Sequence, residues 1–173
     1  MRTAQTEEYL EFARTRTGPL YRSACLLTGG DTHLAEDLVQ ETLGRMYVVW
    51  SRRRAGLDNP AAYAQTVLVR NFLTHQRRRS SRERPTAEPV EPPPQPAHAG
   101  DDAPLRLTLL AALRRLSPQD RAVLVLRYWE DRSVEETAAA LGASAGAIRT
   151  RASRALDRLR AELGDALPDL VEH

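Results

Sequence analysis

Apolar positions along this chain recur at three- and four-residue intervals, the spacing that places them on one face of an α-helix. Tyr9, Leu10 and Ala13 predict a first helix, interrupted at Gly18-Pro19. Leu20, Ala24 and Leu27 predict a second, which stops at the turn Gly29-Gly30. Asp31 or Thr32 then caps a longer helix carrying Leu34, Leu38, Leu43, Met46, Tyr47 and Trp50. Asp58-Asn59-Pro60 reads as a capped start, because proline is tolerated in a first helical turn where its missing N–H has no partner to lose. The helix it opens carries Tyr63, Val67 and Phe72 and runs into Arg77-Arg78-Arg79.

The same grammar returns after a break. Leu105 to Leu116 is amphipathic, Ser117-Pro118 starts another helix with Val123, Leu124 and Leu126 apolar, and Ser133-Val134-Glu135-Glu136 is a capping box. That box opens a helix ending at Gly142, after which Ser144 caps a last long helix over about 145 to 163. No useful length of strand-like alternation occurs, so the chain is predicted to be all-α. Between the two halves, six prolines fall within residues 85 to 96, including Pro92-Pro93-Pro94. Proline removes backbone donors and favours extended chain, which predicts a flexible linker. The expected organisation is two small helical domains, 1–80 and 104–173, joined by a proline-rich linker at 81–103. Domains of that size bury thin cores, and contacts with a partner are expected to steady them.

Composition narrows the function. The chain has 173 residues, 42% of them hydrophobic and 28% charged, the profile of a globular protein. No apolar run is long enough to span a bilayer and no apolar leader follows Met1, so a cytoplasmic protein without membrane insertion is expected. Cys25 is the single cysteine, and its apolar helical setting predicts a buried small hydrophobe rather than a reactive thiol. The four histidines are scattered, so no metal site and no cofactor are expected. Net charge is +2, but it is unevenly distributed. Residues 1–44 hold four Arg against seven acids, and residues 45–84 hold ten Arg against Asp58 and Glu83. Residues 85–103 hold four acids and no base, and the chain contains no Lys. Arg suits phosphate and base contacts because its planar fork bonds bidentately.

Two segments carry nucleic-acid chemistry. Residues 133–160 have helix-turn-helix spacing, in which the second helix enters the major groove with its N-terminal residues toward the bases. Its first turn, Ala145-Gly146-Ala147, is small enough for backbone to approach phosphate, and Arg149, Arg151, Arg154, Arg158 and Arg160 follow. Ile148, Ala152, Ala155, Leu156 and Leu159 mark an inward stripe, leaving Arg149, Ser153 and Arg154 for the groove. The other reading is a helical hairpin with an arginine-rich outer face. Residues 60–84 combine Tyr63, Phe72 and His75 with Arg77, Arg78, Arg79, Arg82 and Arg84, a pattern that suits single-stranded or melting DNA. There the alternative is core aromatics and a solvated helix end, and Phe72 reads as core.

Three strings lie in order and in register with a known family. Ala35 to Thr42 (AEDLVQET) resembles the core-binding segment of extracytoplasmic-function sigma factors, the compact group of the sigma-70 family. Leu113 to Arg121 (LRRLSPQDR), followed by Tyr128-Trp129-Glu130, resembles the start of that family's promoter-distal domain. Ser144 to Arg151 (SAGAIRTR), with Arg154-Ala155-Leu156, resembles its recognition helix. The resemblance implies that Glu36, Asp37, Gln40 and Glu41 face the clamp helices of the largest subunit of core RNA polymerase, and that the flap of the second subunit is a further contact. It implies that the segment Asn59 to Arg79, with Tyr63, Arg70, Asn71, Arg77 and Arg78, opens the −10 element of promoter DNA and captures a flipped base. Ser144, Arg149, Thr150, Arg151, Ser153 and Arg154 would meet the −35 element, and the linker would thread near the RNA exit path. Such factors are not enzymes, and many are held inactive by an anti-sigma factor, which is a further implied partner.

One departure stands out. The family often has Asn seven residues after the aromatic at Tyr63; this chain has Arg70 there, with Asn71 next. Either the register shifts by one or the −10 element is read differently. Competing classes are a dimeric helix-turn-helix regulator that binds duplex operator without polymerase, and a small nucleic-acid hydrolase. The first would need a ligand pocket or phospho-acceptor signature and the second paired acids or a metal cluster; neither is seen.

Overall fold

The computed structural model describes residues 3–52, 56–82 and 103–164. Most of the expected linker lies outside the described residues. The first half forms α1 (Thr3–Thr28), α2 (Thr32–Arg52) and α3 (Pro60–Arg82); the second forms α4 (Ala103–Arg114), α5 (Pro118–Leu124), a π-helical turn (Val125–Trp129), α6 (Val134–Leu141) and α7 (Ala145–Leu163). No strand occurs among the described residues. The all-α expectation therefore holds.

Local chemistry starts and stops these helices where the sequence placed the signals. Asp31 Oδ1 accepts from the Leu34 N–H at 3.1 Å, so Asp31 is the cap of α2. Asn59 Oδ1 accepts from the Ala62 N–H at 3.0 Å and starts α3. Ser133 and Glu136 form a reciprocal capping box, and α6 closes on Gly142 in the left-handed region at φ 63°. One boundary differs from expectation. Gly18-Pro19 does not end a helix: α1 runs through Pro19 without a break. Proline removes one intrahelical hydrogen bond and crowds the preceding turn. Packing on both sides outweighs that loss, because Tyr9 before it and Leu20, Ala24 and Leu27 after it are all buried along α2 and α3.

In the first module Leu20, Leu27, Leu38, Met46, Leu68 and Phe72 are almost wholly removed from solvent. Each such side chain contributes about 1.5–3 kcal/mol by leaving water. At the far end of α1 and α2, Tyr9 stacks edge-on against Tyr47 and Trp50, and its hydroxyl donates to the Leu43 carbonyl at 2.7 Å. The second module closes α7 over α4 and α5 through Leu113, Leu116, Leu124 and Ala155, and over α6 through Val123, Ala138, Ile148 and Ala152.

These two cores are not separate. The largest apolar cluster continues from Leu20, Leu68 and Phe72 into Ala122, Val125, Leu126 and Ala140 of the second half. The steadying partner expected for each thin core is the other module. Polar contacts line the seam: Ser23 Oγ donates to Glu130 Oε1 at 2.6 Å, and Arg114 Nη2 donates to the Gly29 carbonyl at 2.7 Å. Arg121, itself buried, lies over the Phe72 ring at 5.4 Å, a cation–π contact. Gly29 is required on two counts: its φ is +63°, and a Cβ there would sit 2.9 Å from Arg114 Cβ.

Candidate nucleic-acid interface

The helix-turn-helix is held by short-range bonds. Ser144 Oγ accepts from the Ala147 N–H at 3.1 Å and fixes the first turn of α7. Ile148, Ala152 and Ala155 are buried, as the inward stripe requires, while Arg149, Thr150, Ser153 and Arg154 are exposed together with Ser144. Arg149 touches Glu135 at 3.4 Å, but both side chains are largely solvated, so the pair holds Arg149 only weakly. Arg154 has no ion-pair partner among the described residues. A shallow cleft of about 250 Å³ runs beside this face, bounded by Tyr128, Arg149, Ser153 and Arg160.

Arg151 is placed differently. It points away from that face to Asp120 at 3.1 Å, and Arg158 reaches the other oxygen of the same carboxylate at 2.5 Å. Asp120 is 1% exposed, and two guanidinium groups and the first turn of α5 supply the polar partners its buried carboxylate needs. Sequence reasoning gave Asp120 no role. The available signal was its position three residues after the cap Ser117, where an acid faces the start of α5.

On α3, Tyr63 is half-buried and Arg70, Arg77, Arg78 and Arg79 are exposed. Asn71 is turned inward: it is 3% exposed and its Nδ2 donates to Thr42 Oγ1 at 3.3 Å. Of the adjacent pair, Arg70 is therefore the one on the surface, and the Asn71 amide ties α3 to α2. The Asn59 side chain serves as the α3 cap, and Phe72 is core with no exposed area.

On α2, Glu36, Asp37, Gln40 and Glu41 are all exposed and follow one face, opposite the buried Ala35, Leu38, Val39 and Thr42. Glu41 pairs with Arg45 at 2.9 Å one turn on, and the other three leave a carboxylate-rich surface. Close to this region, burial pushes the Cys25 thiol up and drives Tyr21 up to about 12, so both stay protonated and neutral near pH 7. Burial, with Arg114 nearby, lowers Arg121 to about 10, and it remains a cation near neutrality. No group of acids, His or Cys among the described residues could hold a metal ion, and no described helix is long and apolar enough to cross a membrane.

Comparison with known proteins matches both halves. The model for sigma-70 region 2 matches residues 14–82, and that for sigma-70 region 4 matches residues 112–161. The RNA polymerase sigma-E factor of Streptomyces coelicolor is 40% identical over 90% of this chain and 86% of its own length. The ECF RNA polymerase sigma factor SigE of Mycolicibacterium smegmatis is 34% identical over 87% of this chain and 59% of its own length. Among solved structures, the sigma factor RpoE in complex with the anti-sigma factor NepR from Bartonella quintana aligns at a TM-score of 0.72. That likeness has 26% identity and covers 91% of this chain and 97% of the other. With two region models in the right order and relatives alike over nearly the whole length, this chain belongs to the sigma-70 family of RNA polymerase sigma factors, in its extracytoplasmic-function group.

Proposed function

We propose that this chain brings core RNA polymerase to promoters, with the labour divided by module. The carboxylate-rich face of α2 (Glu36, Asp37, Gln40, Glu41) meets the clamp helices of the largest subunit. Residues 1–80 take the −10 element through Tyr63, Arg70 and the basic end Arg77 to Arg79. Residues 104–173 meet the flap of the second subunit and read the −35 duplex through α7. The chain is a non-catalytic initiation factor acting in the cytoplasm, since phosphodiester chemistry belongs to the core enzyme. An anti-sigma factor is a further partner, in keeping with the complexed state of the solved relative.

The observation that carries this reading is the open, capped N-terminal face of α7, where Arg149, Thr150, Ser153 and Arg154 are exposed together. Arg on such a face can bond guanine O6 and N7 at once, the commonest base-specific contact in the major groove. Within that face Arg149 and Arg154 are the base readers. Arg151, committed to Asp120, contributes by stiffening α7.

The test is co-elution of the purified chain with core polymerase, followed by transcription in vitro from promoters mapped after overexpression. Specific starts that require the chain are expected. Absence of any association with core, together with tight dimeric binding to duplex operator, would replace this reading with that of a helix-turn-helix repressor.

A further inference from the structure

The arginines of α7 differ in what holds them. Arg151 and Arg158 are committed to Asp120, and Arg160 lies 3.8 Å from Asp157 on its own helix. On the reading face, Arg149 has an acid beside it that comes from another element. Glu135 Oε1 lies 3.4 Å from Arg149 Nη2, across the turn of the helix-turn-helix. That turn sets the approach. Gly142 takes a left-handed φ of 63°, and the Ala143 N–H donates to the Ala138 carbonyl at 3.0 Å, folding α7 back so that Arg149 meets the first turn of α6.

Of the two acids that open α6, one serves the helix. Glu136 closes the capping box, its Oε2 accepting from the Ser133 N–H at 3.1 Å. Glu135 takes no part in that box and reaches to α7 instead. Affinity for DNA does not account for an acid here. When the second helix of this motif lies in the major groove, the first crosses the phosphate backbone. A carboxylate on its opening turn is repelled by those phosphates and offsets part of what Arg149 gains. Stability does not account for it either. The Arg149 and Glu135 side chains are 61% and 70% exposed, so their pairing contributes little in water.

Selectivity does account for it. A guanidinium on a long solvated stem can meet a phosphate at any sequence as readily as it meets a guanine. Against Glu135 its charge is offset, which weakens the pull of the phosphates. One of its five N–H donors faces the carboxylate, and the others remain for guanine O6 and N7. Docking into the groove expels water from the pair and strengthens an attraction that is weak in the free chain. Penalising wrong partners in this way is one of the two routes to specificity. We propose that Glu135 is a positioning residue for base reading: it holds the Arg149 guanidinium toward base edges and away from phosphates. Selectivity at one −35 base pair is thereby raised, and binding to other sequences is weakened. The inference rests on the role given to α7 above and adds a residue of α6 to it.

The experiment uses holoenzyme reconstituted from core polymerase and the full chain. Fluorescence anisotropy measures binding to a promoter duplex and to versions with each −35 base pair changed in turn. Glu135→Gln keeps the size of the side chain and removes its charge. It is expected to lower discrimination at one base pair about tenfold, chiefly by tighter binding to the changed duplexes, with the other −35 positions unaffected. The salt dependence of binding to the changed duplexes should steepen by about one phosphate contact. In an Arg149→Ala background the same substitution should change nothing at that base pair. Far-UV circular dichroism verifies the fold, and Glu135→Ala takes the place of Glu135→Gln if that variant misfolds. Unchanged discrimination at every −35 base pair overturns the proposal, as does a uniform loss of affinity or a loss that persists without Arg149. Those results leave the reading of α7 intact as long as Arg149→Ala by itself flattens the preference at a −35 base pair; if it does not, both fall.

Discussion

Single residues on α7 separate into two kinds that look alike in sequence. Arg149 and Arg154 are exposed at the N-terminal half of the helix, whereas Arg151 and Arg158 converge on the buried carboxylate of Asp120. Helical periodicity identified the inward stripe, because that depends on spacing alone. It could not assign the arginines, because whether a guanidinium meets DNA or Asp120 depends on where α5 lies. The two kinds should fail differently. Arg154→Ala is expected to lower promoter selectivity by about 1–3 kcal/mol with stability unchanged, the loss falling on particular −35 bases. Asp120→Ala should instead cost about 2 kcal/mol of folding stability, since it leaves two cations crowded around a vacated buried site. The value is below that for a fully buried pair because both arginines are half-exposed. Urea denaturation and competition among −35 variants separate the outcomes. Asn71 carries the same lesson. Beside Arg70 in sequence, it lies a hundred degrees round the helix and ends in the core against Thr42.

Helix starts were legible for a local reason: a cap is completed within four residues, so Asp31, Asn59, Ser133 and Ser144 announce themselves before any tertiary contact exists. The capping box at Ser133 is the most exposed of these tests. Ser133→Ala should lower stability by about 1 kcal/mol, read as a shift in the urea midpoint, with a smaller effect for Ser133→Gly. An unchanged midpoint for Ser133→Ala would mean that packing of Thr137 and Ala138 alone sets α6. Two elements were not legible. Pro19 is a helix breaker by propensity, and only burial on either side keeps α1 continuous. The π-helical turn has no short-range signature; it arises where Val125 and Leu126 are held in the core while the chain must turn back to Ser133.

At the scale of the molecule, an apolar core that runs on from one module into the other is expected to make them unfold together. Calorimetry of the wild type is expected to show a single transition with matching calorimetric and van't Hoff enthalpies. Arg132→Ala should split it into two as the modules uncouple. Two transitions in the wild type would mean that the seam contributes little beyond the separate cores. The charge pattern acquires its meaning here too. The acidic face of α2 stays exposed, and Arg70, first of the cations on α3 and its basic end, bonds the end of α6 while remaining exposed.

Amphipathic spacing, caps and three strings of residues determined on their own that the chain is all-α, that it has two modules, and to which family it belongs. These features are written in near neighbours, and near neighbours meet whatever the rest of the chain does. Tertiary structure alone decided which arginines remain exposed, that Asn71 is buried against Thr42, and that the second module packs against α3 of the first. Each of those depends on contacts between residues tens of positions apart, such as Ser23 with Glu130 and Arg70 with Ala140, which no periodicity along the chain encodes.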